Sequence, residues 1–148
     1  MSVREPVDAA SKKSHREMVN KYIKKFGELV GVKFDPLDED GYTSVTRGSA
    51  TVGINVLDVQ GVLLFLSQIM RVPEQKETQF ALYRKLLELN FLATSDGAFA
   101  VDKDKDTIYL RALRMLDGLD FEEFVDILDT VATVADGWDD KLREMFAE

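Results

Sequence analysis

The chain contains no cysteine, which removes disulfides, thiolate nucleophiles, zinc–thiolate sites and iron–sulfur clusters from consideration together. It contains one histidine, so a site that needs two imidazoles cannot be built. No apolar run approaches the ~20 residues that span a bilayer. The opening Met1-Ser2-Val3-Arg4-Glu5-Pro6 lacks the apolar stretch of a signal peptide, and a cytoplasmic location is expected. Neither a phosphate-cradling glycine loop nor a G-x-S-x-G turn is present. These absences argue against most catalytic and metal chemistry. No catalytic residue, cofactor or metal is expected.

What is there fits one ordinary globular domain. The chain has 148 residues, 45% hydrophobic and 31% charged. Its net charge of −8 is unevenly placed. From Asp117 onward there are 11 acids and two bases, Lys141 and Arg143; the preceding 116 residues are close to neutral. A surface that acidic repels phosphate backbones and anionic lipid, so no direct nucleic acid and no membrane contact is expected.

Residues 1–13 are small, polar and without period, and read as a flexible lead-in; residues 14–148 read as one domain. Ser14-His15-Arg16-Glu17 has the form of a capping box opening a first helix. Met18, Val19, Tyr22, Ile23, Phe26, Leu29 and Val30 follow at helical spacing, and Gly31 supplies the stop. Residues 42–47, 51–59 and 62–72 read as three strands, separated by Gly48-Ser49 and Gln60-Gly61. Pro73 ends the third and opens a second helix, with Phe80, Leu82, Tyr83, Leu86, Leu87 and Leu89 on a broad apolar stripe. Residues 98–102 and 107–115 form a second hairpin. Asp120 caps a third helix that carries Phe121, Phe124, Leu128, Val131, Ala135, Trp138 and Leu142 in register. Gly137 weakens this helix by about 1 kcal/mol, which leaves a kink or an early end open there. The order is α-β-β-β-α-β-β-α. Short connections favour an antiparallel five-stranded sheet packed with three helices, an α+β fold.

Several motifs reduce to structure. His15 lies among Lys12, Lys13 and Arg16 with no orienting carboxylate in sequence reach, and reads as a solvated surface histidine. Asp102, Asp104 and Asp106 open like a calcium loop, but Thr107 stands where glycine is needed and Leu113 where the bidentate glutamate belongs. Gly27 and Gly31 make a G-x-x-x-G in an amphipathic helix with Lys24, Lys25 and Glu28, which a membrane helix would not carry.

The third strand is the informative feature. Paired through a tight turn at Gln60-Gly61, Val59 opposes Val62, Leu57 opposes Leu64 and Asn55 opposes Leu66. The core face then takes Val52, Ile54, Val56, Leu63, Phe65 and Ile69. Leu57, Val59, Val62, Leu64 and Leu66 fall on the opposite face. A slip of one residue exchanges the third strand's two sets, so either way at least three bulky apolar side chains point away from the helices. Such a patch, on the order of a few hundred Å², marks an interface with a second copy or a partner protein unless the second helix folds over it.

The element order resembles class I type III secretion chaperones. Leu86-Leu87-Glu88-Leu89-Asn90, Gly97-Ala98-Phe99-Ala100-Val101-Asp102 and Ile108-Tyr109-Leu110-Arg111 resemble the stretch those chaperones share with the YbjN-like family. The following helix, with Phe121, Phe124, Leu128, Ala135 and Trp138, fits as well. The resemblance implies a small acidic homodimer that binds extended segments of partner proteins without ATP. It also places Phe80, Tyr83 and Leu87 of the second helix at the dimer contact. YbjN-like proteins are described as sensory-transduction regulators. The expected function is a non-enzymatic, chaperone-like or regulatory adaptor, with a small-molecule-sensing domain as the alternative.

Overall fold

Eight elements follow in the expected order: α1 (Ala9–Val30), β1 (Tyr42–Arg47), β2 (Ala50–Leu57), β3 (Val62–Arg71), α2 (Lys76–Leu92), β4 (Ala98–Asp102), β5 (Thr107–Met115) and α3 (Phe121–Met145). They come from a computed structural model that describes residues 9–147. The five strands form one sheet in the order β1-β2-β3-β5-β4, and every pairing is antiparallel.

All three helices lie on one side of the sheet. α3 packs across β2, β3 and β5, α1 packs on α3, and α2 lies over β4. The alternation along the strands sets the layer: Val52, Ile54, Leu63, Phe65, Ile108 and Leu110 are buried beneath the helices. α3 answers them with Phe124, Ile127, Leu128, Val131, Ala135 and Leu142, a stripe at three- and four-residue spacing. Phe124 joins the layers, its ring 5.8 Å from Phe65 and 5.7 Å from Tyr22 of α1. Asp120 caps α3 as expected, its carboxylate accepting from the Glu123 amide at 2.8 Å. α3 runs unbroken through Gly137, whose missing side chain would meet only open space.

Three local readings are corrected. α1 already covers Ala9, so Ser14-His15-Arg16-Glu17 lies inside the helix and caps nothing. Ala9, Ala10, Lys12 and Lys13 are good helix formers, and no breaker stops the helix short of them. Residues 1–8 of the expected lead-in lie outside the described residues. α2 starts at Lys76 and not at Pro73, whose carbonyl accepts from the Gln79 side chain at 2.6 Å. The β2–β3 connection is not a tight turn at Gln60-Gly61. Leu57 faces Val62, so four residues, 58–61, make the turn. Its cause is a pair of anchors. Gly61 takes a φ of 67° with its amide on the Leu57 carbonyl at 2.8 Å, and Asp58 is drawn to Arg16 of α1 at 2.7 Å. The slip is two residues, so Leu57, Val62, Leu64 and Leu66 keep their expected face. Val59 leaves the sheet altogether and stands 74% exposed on the turn.

Candidate functional site

The sheet face turned away from the helices carries the first surface. Leu57, Val62, Leu64 and Leu66 sit there, half-buried against one another. β5 extends the row, because Leu113 faces Leu64 and Met115 faces Val62 across the ladder. Leu113 and Met115 are exposed, and so is Tyr42, whose ring covers the bare backbone of Gly53. The reading in which α2 folds over this patch is overturned. Asn90 of α2 bonds the Phe99 backbone, and Lys85 stacks over Trp138 of α3 at 5.6 Å, which places α2 in the helix layer. Tyr42, Leu113 and Met115 were not expected at the patch. The alternation of β5 signals a two-faced strand, but its place beside β3 is a nonlocal choice.

The second surface is the outer side of α2. At about 100° per residue, Phe80, Leu87 and Phe91 share one line of the helix, and Leu82, Leu86 and Leu89 share the opposite one. The second group is buried. The first is 72%, 70% and 83% exposed, with Tyr83 half-buried beside it. The stripe is therefore wide because it is two stripes. Phe91 belongs to the outer one, a position the sequence reading left out.

The third feature is a groove of about 610 Å³ between the C-terminal half of α1 and the chain that follows it, lined by Ile23, Gly27, Val32, Phe34 and Pro36. Phe34 stacks on Phe26 at 5.8 Å. Gly27 is required here: a side chain would meet the Val32 carbonyl oxygen at 2.4 Å. Lys24 and Lys33 flank the groove.

Charged groups brace this framework. His15 is not a solvated histidine. Its side chain is 11% exposed, and Nε2 lies 2.9 Å from Asp117, 102 residues away in sequence. Arg16 donates to Asp58 and to the Glu39 carbonyl, and the bond to Asp58 holds its guanidinium above the ordinary value. Asp136 accepts from the Ser49 hydroxyl and amide, which ties the β1–β2 turn to α3 and holds this carboxyl below the usual range. At the β4–β5 tip, Asp102 folds back to accept the Asp104 amide at 3.0 Å. Among the described residues, no group of three or more His, Asp and Glu side chains converges to hold a metal ion. No described helix is long and apolar enough to cross a membrane.

Known structures share this architecture. The chain is similar to one in the ExsC–ExsE complex, with 22% identity, a TM-score of 0.67 and coverage of 86% of this chain and 95% of that one. It is similar to a chain of the heterodimeric ExoU–SpcU complex from the type III secretion system of Pseudomonas aeruginosa, with 18% identity, a TM-score of 0.61 and coverage of 88% and 98%. It is also similar to YbjN from E. coli, with 12% identity, a TM-score of 0.56 and coverage of 79% and 88%. Both resemblances read from the sequence, to secretion chaperones and to YbjN-like proteins, are thus borne out at the level of the fold. No curated protein matches the chain in sequence. The family model for Tir chaperone proteins (CesT) matches residues 21–139, and the chain belongs to that family.

Proposed function

We propose that this protein is a non-enzymatic, chaperone-like adaptor that dimerises through the outer stripe of α2 and holds an extended segment of a partner protein on its open sheet. One observation carries the reading: the core is already closed on the helix side, yet among the described residues two apolar surfaces remain without a cover. Phe80, Leu87 and Phe91 together present on the order of 400 Å² of apolar side chain, as much as the largest patch of a typical monomer. Arg84 and Glu88 flank this stripe. In an antiparallel crossing of two copies, each Arg84 would meet a Glu88, a self-complementary arrangement.

The open face supports partner binding. Beside it, β1 is a sheet edge, and Ser44 and Thr46 turn their N–H and C=O groups away from β2. An extended segment added there would gain main-chain bonds, with apolar side chains reaching Tyr42 and the leucine row. The ExsC–ExsE and ExoU–SpcU neighbours are protein–protein complexes, which agrees with this reading.

Leu64→Asp tests it. Leu64 lies mid-patch and half-buried on the open side, so the variant is expected to fold, with Tm within about 5 °C of the unsubstituted chain. Capture of a host protein that the unsubstituted chain retains is expected to be lost. Loss of the cooperative melt would make Leu64 a core residue and remove the patch as a binding surface. A second reading, a small-molecule sensor, has the groove at α1 in its favour, since its size suits a ligand. A reproducible rise in Tm with one metabolite class would favour the sensor.

A further inference from the structure

An open sheet has two edges, and here they are β1 and β4. Unpaired N–H and C=O groups on an edge recruit strands from any chain that can reach them. In an antiparallel ladder, alternate residues turn these groups toward the neighbour and away from it. On β4, Ala98, Ala100 and Asp102 turn toward β5, and Phe99 and Val101 turn outward.

The outward groups of Phe99 are not free. Its amide donates to Asn90 Oδ1 at 2.8 Å, and its carbonyl accepts from Asn90 Nδ2 at 3.3 Å. One carboxamide makes both bonds that a residue of an added strand would make. Only the amide orientation with oxygen toward the N–H satisfies both, so the clamp has one geometry. Asparagine is a poor helix former, so local propensity does not account for it within α2. Among the described residues, β1 has no matching guard beyond its first residue. There Tyr42 is held by Asp38 at both its amide and its carbonyl, while Ser44 and Thr46 lie further along the open edge.

We propose that Asn90 is a specificity-determining residue that closes the β4 edge to strand addition and leaves β1 as the receptive edge. The closing of β4 stands on the clamp alone; the receptivity of β1 rests on the strand-addition reading above. Self-association needs no identified partner, so a second copy of the chain is the probe. Light scattering would follow solution mass against concentration for Asn90→Ser, too short to reach Phe99, and for Asn90→Leu, which keeps the volume and removes the amide.

Both variants are expected to rise with concentration to at least about twice the mass of the unsubstituted chain, as two freed edges pair. Val101→Pro added to either is expected to return the original mass. The Val101 N–H points outward, so proline there costs no ladder bond but blocks pairing. Association of Asn90→Leu without Asn90→Ser would trace the effect to added apolar surface and overturn the proposal. So would folded variants that keep the original mass, persistence of association with proline at 101, or failure of both single variants to fold. A Leu87→Asp variant tests the α2 dimer separately, so failure of that reading and failure of this proposal are distinguishable.

Discussion

Leu87→Asp is expected to convert a species near twice 16.7 kDa into one near 16.7 kDa. Leu87 is 70% exposed on the line shared with Phe80 and Phe91, so a monomer tolerates a charge there. Its stability should change by less than about 1 kcal/mol, as for surface positions in general. In a two-fold interface the same substitution is made twice. Each carboxylate is driven into apolar surface, at a cost of about 2–3 kcal/mol. Together that is roughly 5 kcal/mol, or between about 10³- and 10⁴-fold in the dissociation constant. Light scattering at several concentrations, with a thermal melt beside it, measures both parts. A mass of 16.7 kDa for the unsubstituted chain at every concentration would end the dimer reading. So would a Leu87→Asp variant that keeps the doubled mass.

Phe124→Ala is expected to give the largest loss of stability. The ring is fully buried where α1, α3 and the sheet meet, in contact with Phe65 and Tyr22. Removing it deletes aromatic packing with α1 and β3 and leaves a cavity that the rigid sheet floor cannot collapse to fill. Large-to-small changes of this kind cost about 3–5 kcal/mol. Against a total of about 5–15 kcal/mol, that takes about a fifth of the stability or more. Urea denaturation should show a much lower midpoint with an unchanged slope. A loss below about 1 kcal/mol would mean that the α1–α3–sheet junction is not the centre of the core.

The two variants differ by a distinction that periodicity only half supplies. The spacing of Phe80, Tyr83 and Leu87 marked an apolar helix, and so did that of Leu82, Leu86 and Leu89. Both sets lie on α2, and hydrophobicity alone does not say which one the sheet covers. The clamp between Asn90 and Phe99 orients the helix and decides it. On the sheet, alternation placed Leu57, Val62, Leu64 and Leu66 together on the outer face, and a two-residue slip left them there because side chains repeat every two residues. Val59 was lost to the turn by the same slip, because Asp58 reaches Arg16, 42 residues away.

Element type and order, the cap at Asp120 and the two-faced strands follow from the amino-acid sequence by itself. Each rests on spacings of two to four residues and on the backbone preferences of single residues. The insertion of β5 between β3 and β4, the side on which α2 lies, the burial of His15 against Asp117 and the closed edge at Phe99 were decided only in the tertiary structure. Those features depend on which distant surfaces meet, and many pairings satisfy the same local pattern until the whole core is packed.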